Sequence, residues 1–403
     1  MSARTLATVA LVCVSCTQYA DPVVASKPNG SDPCAAWQTQ SACAADSAHD
    51  CSVQPNEVGC HLNDLTCAPW QCASGDPFVR RVGASLTLKD QPFRFVGANA
   101  WGVGWADGGC QYSAFSDQDA ALAQTFGDLA DMHVQALRIW AFQSFTGPNG
   151  DDYSSLEHVV QYARAAGIRL IFVLENMKSD CSKGTRDDTW FQSGYQKPYG
   201  GYALSFPDYT RGVIAHFRDE PTVLAWEIMH EAGGNDAPAM LAFFTQMSDL
   251  VRTADSNHLI VLGTNNGDTP ATSTQGNPSP YATLQALDAV DLVDAQDFDS
   301  PDTALTMSEQ VDANVAQSAH KSCFIGASAV SISDTSATAL SQRASRLSAK
   351  IDGALSAGLA GFLVYAYTPG WQTAGLDFDG RSAEPLAGAH GVLAGFAARV
   401  SGP

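Results

Sequence analysis

Residues 222–231 read TVLAWEIMHE, and the run continues as AGG to residue 234. The apolar stretch VLAWEIM shows no polar alternation, so it reads as a strand buried on both faces. It ends on His230 and Glu231. A carboxylate at the end of a buried strand is placed like a catalytic acid, and such an acid needs a partner.

Seven more runs of the same kind flank it: FRFVGANAW (93–101), VQALRIWAF (134–142), IRLIFVLEN (168–176), HLIVLGTN (258–265), VDLVDAQDF (290–298), SCFIGASAV (322–330) and GFLVYAY (361–367). Helix-like stretches such as SLEHVVQYARAA and PAMLAFFTQMSDLVRTA separate them. Eight apolar strands alternating with helices predict a parallel sheet. Spread over roughly 310 residues, they fit an α/β fold of the (β/α)8 TIM-barrel type. A doubly wound open sheet is the alternative, but no GxGxxG follows the first run.

In such a barrel the site lies at the C-terminal strand ends. The first run offers Asn99, with Trp101 and Trp105 just beyond. The second offers Arg138 and Trp140, the third Glu175 and Asn176, and the fourth His230 and Glu231. Asn265 and Asn266 follow the fifth run. The sixth gives Asp294, Gln296, Asp297 and Phe298, the seventh Ala327 and Ser328, and the eighth Tyr365, Tyr367 and then Trp371. Aromatic platforms with amides and carboxylates suit sugar rings. Trp140 reads better as barrel core. Glu227 reads as a structural or ion-paired residue, because on a strand it shares a face with residue 229 and not 230. Trp190, Tyr195 and Tyr199 either form sugar subsites or pack their own loop.

The chain has 403 residues, 45% of them hydrophobic and 16% charged, which is enough for one large domain and a small one. Acidic residues outnumber basic ones 42 to 22, for a net charge of −20. Nucleic acid is excluded as a partner, because phosphate binding needs clustered Lys and Arg. No cofactor is expected, and no metal, since His230 has no second His at ligand spacing. A monomer is expected.

Residues 1–16, MSARTLATVALVCVSC, read as an export signal too short to span a membrane. CVSC is similar to a lipoprotein cleavage site with Cys16 as the lipidated residue, although Cys13 stands where Leu is usual; an ordinary cleaved signal is the alternative. The expected location is the bacterial cell surface or outer membrane, or the medium. Residues 17–33 are a small, polar tether. Six of the 11 cysteines fall between 34 and 72. In an exported chain they predict a disulfide module over 34–75, its bridges replacing a core. Zinc is disfavoured there because no CxxC pair is present. The barrel is expected over 78–403. Cys110 and Cys181 follow the first and third strands, so both fall in top-face loops and are expected to pair; Cys323 stands alone.

RDEPTVLAWEIMHEA resembles the fourth-strand signature of glycoside hydrolase family 5, in its β-mannanase and cellulase-like branch. GANAWGVGW, LRIWAF, LENMKSDCSKG, PYGGYALSFPDYTRGV and VYAYTPGWQTAGLDFD match further family patterns, in the family's order, over roughly residues 80–400. The resemblance implies a retaining hydrolase of β-1,4-linked polysaccharide, with mannan the first expectation. Two Glu residues would stand about 5–5.5 Å apart, an acid/base and a nucleophile. Glu231 matches the acid/base. The nucleophile pattern F-I-G-E reads FIGA, so its position is Ala327, and a methyl cannot form a glycosyl-enzyme. The Asn expected before the acid/base is His230. The His and aromatic hydroxyl expected on the sixth strand are Gln296 and Phe298. Arg138 is kept. The site is therefore expected to be weakly active or inactive. Non-hydrolytic glycan binding is one alternative. A relocated carboxylate is another, with Glu175, Asp294 and Asp297 as candidates, of which Asp297 is expected to face out of the barrel by strand alternation.

Overall fold

The computed structural model of the chain describes residues 76–100, 119–178, 184–265, 280–298, 307–367 and 389–400. The expected signal, tether and Cys-rich module lie outside these residues, as do Cys110 and Cys181.

Three short strands come first: β1 (Val79–Val82), β2 (Ser85–Leu88) and β3 (Gln91–Phe93), in an antiparallel sheet of order β1-β2-β3. The eight apolar runs then supply β4 (Phe95–Asn99), β5 (Ala136–Trp140), β6 (Arg169–Val173), β7 (Val223–Glu227), β8 (Leu259–Val261), β9 (Leu292–Asp297), β10 (Ser322–Ser328) and β11 (Gly361–Val364). All pair in parallel, and β11 closes on β4 to complete an eight-stranded barrel. The open-sheet alternative is thereby excluded.

Outside the barrel lie α1 (Asp119–Asp131), α2 (Ser154–Ala165), the short α3 (Asp188–Gln192), α4 (Phe206–Phe217), α5 (Ala237–Ala254), α6 (Pro280–Gln285), α7 (Met307–Ser318), α8 (Ala337–Ser356) and α9 (Ala389–Val400). Their starts are set locally. Ser205, Asp236 and Ser336 each accept a hydrogen bond from the backbone N–H three residues on, and Pro207 and Pro238 stand where the helical N–H has no partner.

Strand alternation divides the core into layers. Leu137 and Ile139 of β5 face outward and pack with Val159, Val160 and Phe172 under the helices. Ala136 of β5 faces inward with Phe95, Ile171, Leu224, Leu292, Phe324 and Leu363. Val79 and Leu86 join that inner cluster, so the three-stranded sheet plugs the end of the barrel where the strands begin. The sequence reading did not anticipate this plug. Higher in the barrel the interior turns polar, with Arg138, Glu227 and Asp294 all buried. Above them Trp140 packs with Phe142, Phe145 and Val173, in keeping with its expected place in the core.

β10 departs from simple alternation. Its register with β9 shifts between Ile325 and Ala327, leaving Gly326 as an extra residue. Ile325 pairs with the outward-facing Ala295, and Ala327 pairs with Gln296. A bulge of this kind re-aims the side chain that follows it. Here Gly326 and Ala327 both face the barrel interior, and Ser328 turns outward to donate to Asp297 Oδ2 at 3.1 Å.

Candidate active site

β7 ends at Glu227, and the next four residues rise to the barrel mouth without strand alternation. Their backbone is held from both sides. Ile228 and Met229 donate to the carbonyls of Val261 and Leu262, and His230 donates to the carbonyl of Glu175 at 2.8 Å. Glu231 then takes a left-handed conformation with φ of 52°. That costs a non-glycine residue on the order of 1–2 kcal/mol. The neighbouring bonds impose it: Ala232 donates to Gly263 O at 3.1 Å, and Asn265 Nδ2 donates to Glu231 O at 3.1 Å.

The Glu231 side chain keeps 18% of its surface exposed. Its Oε2 is paired with Lys178 Nζ, and its Oε1 lies 3.9 Å from His230 Nε2. Burial pushes its carboxyl up, but His230 and Lys178 outweigh that and hold it below the ordinary glutamate value. Glu231 is therefore ionised at neutral pH, whereas a general acid must carry its proton.

Beneath it Arg138 organises a sealed cluster. Nε donates to Asn99 Oδ1 at 2.6 Å, and Nη1 donates to Glu227 Oε2 at 3.1 Å and to Asp294 Oδ2 at 2.7 Å. Nη2 lies 3.2 Å from His230 Nδ1, which is also 3.2 Å from Glu227 Oε1. One ring nitrogen can accept from Arg138 or donate to Glu227, not both. The His230 ring packs on Trp140, with centroids 4.8 Å apart. Burial raises the Glu227 carboxyl, against the opposing pull of Arg138. Burial likewise pushes Asp294 up to about 7, with Arg138 opposing and Glu227 adding to the rise.

At the mouth, Ala327 has Gln296 beside it in register. Phe298 is 41% exposed, and its ring stands edge-on to Tyr365 at 5.7 Å. Among the described residues this is an open aromatic edge.

The sequence profile described as "Cellulase (glycosyl hydrolase family 5)" matches residues 91–363. The chain belongs to glycosyl hydrolase family 5. It is similar to "Mannan endo-1,4-beta-mannosidase A" of Podospora anserina, 24% identical over 256 residues that cover 55% of this chain and 65% of that protein. It is also similar to "Mannan endo-1,4-beta-mannosidase 2" of Oryza sativa subsp. japonica, 27% identical over 224 residues and 48% of each chain. The chain thus spans about half to two thirds of the length of these curated relatives. Among solved structures, the endo-1,4-beta-mannanase from Rhizomucor miehei superposes with a TM-score of 0.63 at 19% identity, over 80% of this chain and 99% of that one. An endo-beta-1,4-glucanase from Xanthomonas axonopodis pv. citri gives 0.54 at 15% identity, over 76% and 99%. These two likenesses establish the shared fold.

In this family 5 barrel several expected sugar contacts lie below the cleft surface. Asn99 is buried, with Oδ1 taken by Arg138 and Nδ2 donating to Gly326 O at 2.8 Å. Glu175 is buried too. Its Oε2 meets Arg186 Nη2 at 3.0 Å and the Tyr199 hydroxyl, and its Oε1 accepts from the Asn176 backbone at 2.9 Å. Asn176 Oδ1 accepts from the Lys178 backbone at 3.0 Å. All three side chains are buried and hold these protein partners. Asp297 faces out of the barrel and pairs with Lys350 of α8, both fully buried. Trp190 and Tyr195 are buried and pack against Phe243 of α5. Trp101, Trp105, Asn266 and Trp371 lie outside the described residues.

Lys178, within LENMKSDCSKG, pairs with Glu231, and its place just beyond the third strand is the sequence signal for that contact. Arg186 sits in a loop and carries no such signal. Among the described residues no group of three His, Cys, Asp or Glu could hold a metal ion, and no helix is long and apolar enough to cross a membrane.

Proposed function

We infer that this family 5 chain binds β-1,4-linked polysaccharide in the barrel mouth and that retaining hydrolysis is disabled at Ala327. Mannan is the first substrate class to try. What supports the reading is the alanine at the position that the family resemblance gives to the nucleophile, paired with Gln296 just after the Gly326 bulge. A retaining mechanism needs a second carboxylate about 5–5.5 Å from the first, able to reach the anomeric carbon. Glu231 stands alone in this respect among the carboxylates considered, because Glu175, Glu227, Asp294 and Asp297 are each buried and paired with a cation. The exposed Phe298–Tyr365 edge supports a remaining platform for a sugar ring.

The test is retention of the purified chain on insoluble mannan and on cellulose, with competition by soluble mannohexaose and cellohexaose. Specific retention displaced by one oligosaccharide is expected. No retention on either matrix rejects the reading.

A second reading keeps hydrolysis, with a relocated carboxylate acting as base on water at the wider separation of about 6.5–9.5 Å. The retained Glu231 and Arg138 favour it. It predicts that Glu231→Gln abolishes turnover and that the product is inverted. If residues 34–75 carry the binding instead, their deletion removes retention while the barrel stays folded. Export, lipid attachment at Cys16 and a monomeric state complete the proposal.

A further inference from the structure

Asp294 is a candidate for the relocated carboxylate of the second reading, but it is buried in the barrel interior and paired with Arg138. It stands on the inward face of β9, opposite Phe324, with its side chain 1% exposed. Its Oδ1 lies against Gly326, where a Cβ would fall 1.8 Å from that oxygen and 2.8 Å from Arg138 Nη1. Gly326 is the bulge residue just before Ala327. The Asp294 carboxylate and the Arg138 guanidinium thus fill the interior one layer below position 327. Nη1 of Arg138 has two N–H groups, and they serve Glu227 and Asp294.

We propose that Asp294 is a positioning residue that takes the counter-ion place beside Arg138 left open at Ala327, so that the vacancy at 327 and the acid at 294 form one coupled arrangement. The proposal rests on Ala327 being the vacant nucleophile position. Gly326, the residue before 327, already lies against Asp294 and Arg138, so a carboxylate returned to 327 would enter beside a guanidinium that Glu227 and Asp294 already share. Like charges buried together repel. Glu231 is a further negative charge within electrostatic reach of Arg138, and His230 is the remaining titratable group against it. Removing the Asp294 charge releases an Nη1 donor and relieves the repulsion. Revival of the cleft therefore needs two changes.

The test is a double-mutant cycle on the full chain with A327E, D294N and A327E/D294N. Two quantities are read: the melting temperature at pH 9, above the raised value of Asp294, and single-turnover cleavage of a dinitrophenyl β-mannobioside or β-cellobioside. A327E is expected to melt well below the natural chain, and D294N to remove most of that penalty. The double variant is expected to cleave about tenfold or more faster than A327E, because a misplaced reacting group forfeits rate steeply. Additive melting shifts, or equal cleavage by A327E and the double variant, would overturn the proposal. If A327E fails to fold, A327Q decides. A folded A327Q isolates the charge as the cause and supports the coupling, whereas its failure points to crowding and overturns it. Cleavage by the natural chain would reject the binding-only reading, and the melting cycle would still decide the role of Asp294.

Discussion

Ala327 pairs in register with Gln296 across β9 and β10, and the bulge at Gly326 brings Ala327 onto the inward face that Gln296 occupies by strand alternation. Ala327 is buried, and its neighbour Gly326 lies against the Asp294 carboxylate and the Arg138 guanidinium.

That ionic cluster sets the first prediction. Arg138→Met leaves Glu227 and Asp294 buried without their cation. Breaking one side of a buried ion pair costs on the order of 3–5 kcal/mol. Urea unfolding of the variant should show a loss of that size. A change under 1 kcal/mol would mean that the cluster contributes little to holding the barrel.

The same cluster makes stability depend on pH. Asp294 has its folded value raised from 3.8 to about 7, so the folded state holds a proton that the unfolded chain has released across that window. Its contribution is full below about pH 4 and is lost as pH rises to about 7. Asp294→Asn should flatten the decline in melting temperature over that range. An unchanged profile would assign the decline to other groups.

Glu231 has the opposite sign. Its folded value is depressed, so its stabilising contribution is present above the ordinary glutamate value and lost as pH falls through the folded one. Lys178→Met should raise the Glu231 value, read by NMR titration of carboxyl-labelled glutamate. Because Lys178 is 63% exposed, added salt should reproduce part of the shift. No movement on either treatment would leave His230 as the group that sets it.

Phe298 offers a ring to solvent beside Tyr365. Phe298→Ala should weaken oligosaccharide affinity about 3- to 10-fold, the effect of losing roughly 0.5–1.5 kcal/mol of aromatic contact. The melting temperature should hardly change. Calorimetry with mannohexaose and cellohexaose checks both the loss and the preferred sugar.

The barrel was readable because each of its strands is an apolar run long enough to stand out from the helices between. The plugging sheet was not, since β1 to β3 are three or four residues long and Arg80, Arg81 and Gln91 dilute their apolar faces. Strand-end position together with family patterns singles out Glu231, Ala327 and Arg138 as candidates. Their surroundings were less accessible. The inward turn of Ala327 depends on a one-residue bulge that FIGASAV does not advertise. The burial of Glu175 depends on Arg186 and Tyr199, brought in by a loop whose path no local pattern dictates. The alternation that separated Glu227 from His230 ends with the strand itself, and beyond it the chain folds His230 back to within 3.2 Å of Glu227.

The most direct measurement is reducing-end release from a panel of β-mannans and β-glucans by the purified natural chain, with retention on the same glycans measured in parallel. Retention without release is the predicted result. Sustained release that Glu231→Gln abolishes would contradict the account, and the anomeric form of the product would then identify the carboxylate chemistry that replaces the missing nucleophile.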